Sequence, residues 1–185
     1  MHLPPVLSAD DLPAPELGAA RLDGEVFAVG ECFAPVDEIE QPGHRAAAVH
    51  AGQSGRLIAE QLTAAWVWGA LDSAPLHLQF CVATGARVSH SPARWMTVRE
   101  VVIEPDEIVA FGPALVTSPL RTVVDLVRFA EVFGDREVEV VRRLGASLTD
   151  SARLICERRN LPNKRRALAR LRLCALPPAA PLSAE

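Results

Sequence analysis

The chain has 185 residues, of which 49% are apolar and 23% charged. That composition suits one packed domain with or without a small appendage, and it excludes wholesale disorder. The net charge of −4 hides an asymmetry: residues 1–135 carry 8 Lys/Arg and 18 Asp/Glu, whereas residues 136–185 carry 11 and 5. A basic end on an acidic body points to an anionic partner, or to docking of one part on the other.

Only Lys164 among the 19 basic residues is a lysine. Arginine preference fits phosphate forks, and coding bias equally. No run approaches the ~18 apolar residues of a membrane span. The N-terminus lacks the basic region of a signal peptide, so a cytoplasmic location without membrane contact is expected. Cys32, Cys81, Cys156 and Cys174 form no C-x-x-C pair and read as reduced core thiols.

In chain order, residues 1–15 are Pro-rich and predict an extended arm. Pro15–Leu22 allows two helical turns, with Glu16 favourable near their start. Glu25–Val29 and Cys32–Val36 flank Gly30-Glu31 as a β-hairpin. A short helix followed by a hairpin is the back half of a winged helix. Residues 1–40, however, hold one arginine and nine acids, which is unsuited to phosphate contact. Asp37–Gly43 is an acidic linker, and Gly43–Ala51 predicts a short helix. Arg56–Gly69 predicts a longer one with Ile58, Leu62, Ala65 and Trp66 on one side. Leu76–Val82 and Trp95–Ile103 read as strands on either side of a loop, Ala83–Ala93.

The best specified stretch is Val98–Arg128. Val98–Ile103 is a β-branched strand and Glu104-Pro105-Asp106-Glu107 a turn. Ile108–Phe111 and Ala114–Val116 are short extended pieces broken at Gly112-Pro113. Ser118 is then a good N-cap and Pro119 fits the first helical position. Leu120, Val123, Val124 and Val127 recur at helical spacing. Beyond them, Asp135–Leu144 predicts an amphipathic helix. Thr149 or Asp150 caps another to Arg159, and a last helix runs from Asn163 to Cys174.

No constellation for catalysis emerges. Ser118 lies in T-S-P-L-R rather than G-x-S-x-G. The histidines, His2, His44, His50, His77 and His90, have no local carboxylate or nucleophile as partner. There is no H-E-x-x-H, Walker loop or dinucleotide fingerprint, so no metal or cofactor is expected. A restriction-type nuclease needs a lysine two residues after its metal-binding Glu, and Lys164 has no such neighbour. Glu100 and Asp125 would have to converge from strand and helix.

Arg121, Asp125 and Arg128 fall on one helical stripe, either as a surface ladder or as a partly buried Arg121–Asp125 tie. The C-terminal pair of helices carries Arg153, Arg158, Arg159, Lys164, Arg165, Arg166, Arg170 and Arg172 against Glu157. Leu154, Ile155, Leu161, Leu168 and Leu171 form a seam between the two helices. The cations suit either a solvated face packed on the acidic body or phosphate contact.

Four blocks stand in sequence: T-A-A-W-V-W-G-A-L (Thr63–Leu71), L-H-L-Q-F-C-V (Leu76–Val82), V-R-E-V-V-I (Val98–Ile103) and F-G-P-A-L-V-T-S-P-L-R-T-V-V-D-L-V-R (Phe111–Arg128). Their order resembles actinobacterial proteins of the AbiEi-family antitoxin type, from type IV toxin–antitoxin systems, over roughly residues 16–145. The most specific positions are Thr117, Ser118, Pro119, Arg121, Thr122 and Asp125, which form a scaffold signature rather than an active site.

The resemblance implies a non-enzymatic transcriptional regulator or antitoxin that binds DNA, a cognate nucleotidyltransferase-like toxin, or both. Family members bind the operator through a winged helix, which is truncated and acidic here, and longer relatives continue into a nuclease-like domain. An interaction module without DNA binding is the alternative, and a metal-dependent nuclease a further one.

The expected fold is α+β, with a small mixed or antiparallel sheet flanked by helices. Its parts are an arm and degenerate winged-helix remnant (1–40), a core (41–146), a basic helical hairpin (147–176) and a disordered tail (177–185). Arg153, Arg158, Arg159, Lys164, Arg165, Arg166 and Arg170 are the candidate nucleic-acid contacts.

Overall fold

The structure is a computed structural model and describes residues 4–53, 56–86 and 94–177. It is α+β, with a two-stranded hairpin and a five-stranded mixed sheet. The arm is anchored: Leu7 and Phe33 exchange backbone hydrogen bonds of 2.7 and 2.9 Å. Helix α1 (Ala14–Leu22) packs on the antiparallel hairpin β1 (Val26–Val29) and β2 (Cys32–Pro35). The tight turn places a positive φ of 59° on Gly30, which only glycine adopts freely. A Cβ there would also come within 3.3 Å of the Trp66 ring.

Helix α2 (Pro42–His50) follows. The long helix expected over Arg56–Gly69 is divided. Ile58–Ala59 form strand β3, and α3 (Gln61–Val67) begins at Gln61, whose φ is a positive 49°. Leu57, Ile58 and Ala59 are all buried. Their helix-like spacing reflects burial on both faces of a central strand, where no alternation survives. Strands β4 (Leu78–Ala83), β5 (Met96–Val101), β6 (Ile108–Phe111) and β7 (Ala114–Thr117) complete the sheet in the order β5-β4-β3-β7-β6. Pairing is parallel for β4–β5 and β3–β7, and antiparallel for β3–β4 and β6–β7.

Helix α4 (Pro119–Phe129) is the axis of the packing and touches α3, α5 (Asp135–Arg143), α6 (Leu148–Glu157), α7 (Lys164–Ala175) and β7. Every residue from Arg121 to Arg128 is buried. The cap of α6 is Ser147, whose Oγ accepts from Asp150 N at 3.1 Å, rather than Thr149 or Asp150, and the helix stops at Glu157. In the seam between α6 and α7, Ile155 and Leu171 are buried, while Leu154, Leu161 and Leu168 are partly buried against the core. Three cysteines are core thiols as expected. Cys156 is not: it is exposed on α6. No helix among the described residues is long and apolar enough to cross a membrane. Part of the expected Ala83–Ala93 loop, and all but the first residue of the expected disordered tail, lie outside the described residues.

Candidate functional site

The start of α4 is built as the sequence suggests. Ser118 Oγ accepts from Arg121 N at 3.3 Å, and Pro119 occupies the first turn. Thr122 Oγ1 lies 2.9 Å from the Ser118 carbonyl oxygen and 2.8 Å from Thr117 Oγ1, both within reach of one hydroxyl. Trp68 Nε1 donates to the Thr117 carbonyl at 2.8 Å and ties α3 to the end of β7. The scaffold signature is thus a strand-to-helix corner closed by side chains.

The stripe along α4 is not a surface ladder. Asp125 has no exposure and Arg121 2%. Arg121 Nε donates to Asp125 Oδ2 at 2.8 Å and Arg128 Nη1 donates to Asp125 Oδ1 at 3.1 Å. Arg121 Nη1 also reaches Glu107 Oε2 at 2.6 Å and the Val102 carbonyl at 3.2 Å. Glu107 Oε1 faces Arg158 Nη2 at 2.7 Å, and its Oε2 accepts from Glu104 N. Glu107 therefore joins the turn before β6, helix α4 and the end of α6. Burial alone would raise its carboxyl, but the Arg158 guanidinium, the Glu104 amide and Arg121 outweigh that and hold it below its ordinary value.

A second pair extends the network. Arg99 on β5 donates from Nε and Nη2 to the two oxygens of buried Glu60, each at 2.6 Å. Burial pushes the Glu60 carboxyl up against that fork. The Arg99 guanidinium lies 4.0 Å from the Phe129 ring centroid and that of Arg128 4.4 Å from it. Such stacking suits a planar cation more than an ammonium. Burial, opposed by Asp125 and reinforced by Arg121, Arg99 and Arg158, pulls Arg128 down to about 10. Arg128 is thus a buried cation that shares its one carboxylate with Arg121.

These guanidiniums border a cleft of about 620 Å³. Arg99, Arg121, Arg128, Arg158 and Arg159 line it together with Phe129, and Glu100 and Glu104 stand exposed in the lining.

The basic helices divide by task. Arg166 Nη2 and Arg170 Nη1 donate to the carbonyls of Arg128 and Val127 at the end of α4, at 2.7 and 3.2 Å. Lys164 Nζ donates to the carbonyls of Cys156 and Arg158 at the end of α6. Arg170 also lies 4.8 Å from the Phe133 centroid. Arg153 is exposed and pairs with Asp150 at 2.6 Å. Arg159, Arg165 and Arg172 are exposed and make no hydrogen bond or ion pair among the described residues. Arg165 and Arg172 are seven apart on α7 and so share a face.

Glu100 and Asp125 do not converge. Glu100 is exposed and its Oε1 accepts from Gly85 N at 3.0 Å, whereas both oxygens of Asp125 are held by arginines. No group of three or more His, Cys, Asp or Glu is placed to hold a metal among the described residues. One histidine departs from expectation: His44 Nε2 lies 2.6 Å from Glu38 Oε2, because the chain turns into α2 at Pro42 and brings the acidic linker over its first turn. His50 faces the Ala46 and Leu57 carbonyls, and His77 faces Thr97. His2 and His90 lie outside the described residues.

Sequence reasoning found Arg121 and Asp125 but missed Glu60, Arg99 and the role of Glu107. These partners lie 14 to 65 residues from Asp125 or Arg121 in sequence and meet only through the strand order. The usable signal was the order Arg121 before Asp125, the weaker one for a purely helical pair, which points to tertiary partners for the arginine.

No family model and no curated protein matches the chain. Among solved structures, the crystal structure of the RV2827C protein from Mycobacterium tuberculosis is similar at 17% identity and a TM-score of 0.48, over 92% of this chain and 75% of that one.

Proposed function

We propose that the chain is a non-enzymatic, AbiEi-like regulator or antitoxin that acts by binding DNA through its C-terminal helices. The observation that supports this most is the set of exposed cations left over once the internal tasks of the hairpin are assigned. Arg165 and Arg172 form a stripe on α7 with no acid paired to either among the described residues, and Arg153 and Arg159 are exposed on the same pair of helices and their connection. Arg166, Arg170 and Lys164 are occupied by helix ends, and Arg158 by Glu107. They serve the fold first.

The test follows from that division. The triple variant Arg153→Glu, Arg165→Glu, Arg172→Glu is expected to keep its circular dichroism melt and to lose the mobility shift of duplex DNA. Partial variants should reduce the slope of log K against log salt by about 0.9 per phosphate contact removed. An unchanged shift in the folded triple variant, or no shift by the parent chain in low salt, overturns the reading.

A second reading, a protein-interaction module, has its own observation. A groove of about 470 Å³ lies between the N-terminal hairpin and the core, lined by Trp66, Leu78 and Trp95 with fully exposed Leu76 at its edge. That surface suits a protein partner such as the nucleotidyltransferase-like toxin. Copurification of such a toxin with no DNA shift at about 100 mM salt, where phosphate contacts already weaken, would favour it over DNA binding.

A further inference from the structure

We propose that the cleft between β5, the end of α4 and the segment after α6 binds a small phosphorylated compound, a phosphate monoester up to the size of a mononucleotide. Its phosphate would be held by Arg99, Arg128, Arg158 and Arg159. The volume of about 620 Å³ lies within the range of roughly 300–1,000 Å³ of small-molecule sites. Five guanidiniums from three separate parts of the chain converge on it.

Four of the five are anchored from behind by a carboxylate, and the anchoring uses only part of each fork. Arg99 spends Nε and Nη2 on Glu60 and leaves Nη1. Arg128 spends Nε on the Pro162 carbonyl and Nη1 on Asp125, and leaves Nη2. Arg158 pairs with Glu107 through Nη2 alone. Arg159 makes no hydrogen bond or ion pair among the described residues. The guanidiniums of Arg99, Arg128 and Arg158 are held in place by the fold before any ligand arrives. Preorganised guanidinium forks are the groups that match the oxygens of a phosphate.

Charge points the same way. The buried carboxylates of Glu60, Glu107 and Asp125 are set against Arg99, Arg121, Arg128 and Arg158, an excess of one positive charge, and exposed Arg159 at the mouth adds a second. A phosphate monoester dianion would balance it. Glu100 and Glu104 are exposed to water, so their repulsion of the anion is screened. Phe129, Val101, Leu161 and Pro162 add apolar wall for the organic part of an ester. A purely structural role leaves unexplained why Arg128 crowds against three other cations while sharing one carboxylate. Arg165 and Arg172 lie outside the cleft and the DNA test leaves Arg159 unchanged, so the two readings are tested separately.

The experiment is a thermal melt and calorimetric titration of the full chain with adenosine 5′-monophosphate, inorganic phosphate, adenosine, and sodium chloride at matched ionic strength. The monophosphate and inorganic phosphate are expected to raise the melting temperature in a concentration-dependent way, with adenosine and salt inert. Arg159→Ala, at an exposed position, should weaken monophosphate binding at least tenfold, and Arg128→Lys likewise. Arg165→Ala should bind as the parent does. The proposal is overturned if neither phosphate compound exceeds the salt control, if adenosine binds as well as its monophosphate, or if folded Arg159→Ala binds unchanged.

Discussion

Replacing Asp125 by Asn tests the claim that a charge network, not an apolar stripe alone, seats the central helix. The carboxylate is wholly buried and accepts from Arg121 Nε at 2.8 Å and Arg128 Nη1 at 3.1 Å. Each bond to a charged group contributes about 1.5–3 kcal/mol. An amide of the same shape keeps one acceptor and turns an N–H pair towards the other arginine, so one bond becomes a donor–donor clash. Arg121 retains Glu107, but Arg128 loses its only carboxylate while 4% exposed. Breaking a buried pair from one side costs about 3–5 kcal/mol, because the remaining charge stays desolvated. An expected loss of about 3 kcal/mol for Asp125→Asn is a large share of the ~5–15 kcal/mol that holds a domain. Urea denaturation should show a lower midpoint with an unchanged slope. At ~2–4 °C per kcal/mol for a chain of this size, the melting temperature should fall by about 6–12 °C. Asp150→Asn breaks the exposed Arg153 pair and should cost under about 1 kcal/mol. If Asp125→Asn costs no more than that control, the network does not hold the helix.

Glu107 fixes the acid side of the stability curve. Its folded carboxyl lies below the ordinary 4.5, so its contribution is complete above 4.5 and is lost as pH falls through the folded value. Stability of the parent should drop steeply below pH 4.5. Glu107→Gln, less stable at neutral pH, should show a shallower acid limb in urea midpoints taken from pH 6 downward, and an equally steep limb would remove Glu107 from the account. On α7, Arg170→Ala loses the bond to the Val127 carbonyl and the contact with Phe133 and should cost about 1–2 kcal/mol. Arg165→Ala should stay within about 0.5 kcal/mol, and equal costs by urea midpoint would refute the division of tasks between the two.

Local signals were legible wherever the chemistry is local. Gly30 at a hairpin turn, Ser118 as a cap, Pro119 in the first turn and the Gly112-Pro113 break each act within a few residues, and each element they mark is present. The helix expected at Arg56–Gly69 failed because Ile58–Ala59 form a central strand between two others and Leu57–Ala59 are buried on both faces, where no period of two survives. Asp125 could be read as polar, but not as buried. Its burial depends on five elements closing around α4, and a helix wrapped on all sides keeps a charged stripe only if the stripe is neutralised from within. The arginine-lined cleft was the least legible of all. Arg99, Arg128 and Arg159 are brought together by the parallel placement of β5 beside β4 and by the return of the chain after α6, and no spacing rule connects them.

The charge asymmetry of the sequence has a structural cause that narrows where a partner can bind. A helix leaves its last four carbonyls without intrahelical partners and carries partial negative charge there. In this fold the ends of α4, α6 and α7 all meet cations from other segments. Arg166 and Arg170 serve α4, Lys164 serves α6, and Arg142 donates to the Cys174 carbonyl in the last turn of α7 and to the Leu176 carbonyl just after it. With Arg158 given to Glu107, much of the basic charge after residue 135 is spent on closing the helical layer. A count of arginines therefore overstates the surface offered to an anionic partner. What remains exposed for an anionic partner is the set Arg153, Arg165 and Arg172, while Arg159 stands at the mouth of the cleft. Charge reversal at Arg166 or Arg170 would uncover the end of α4 and destabilise the hairpin, so a lost mobility shift there would mix folding with contact.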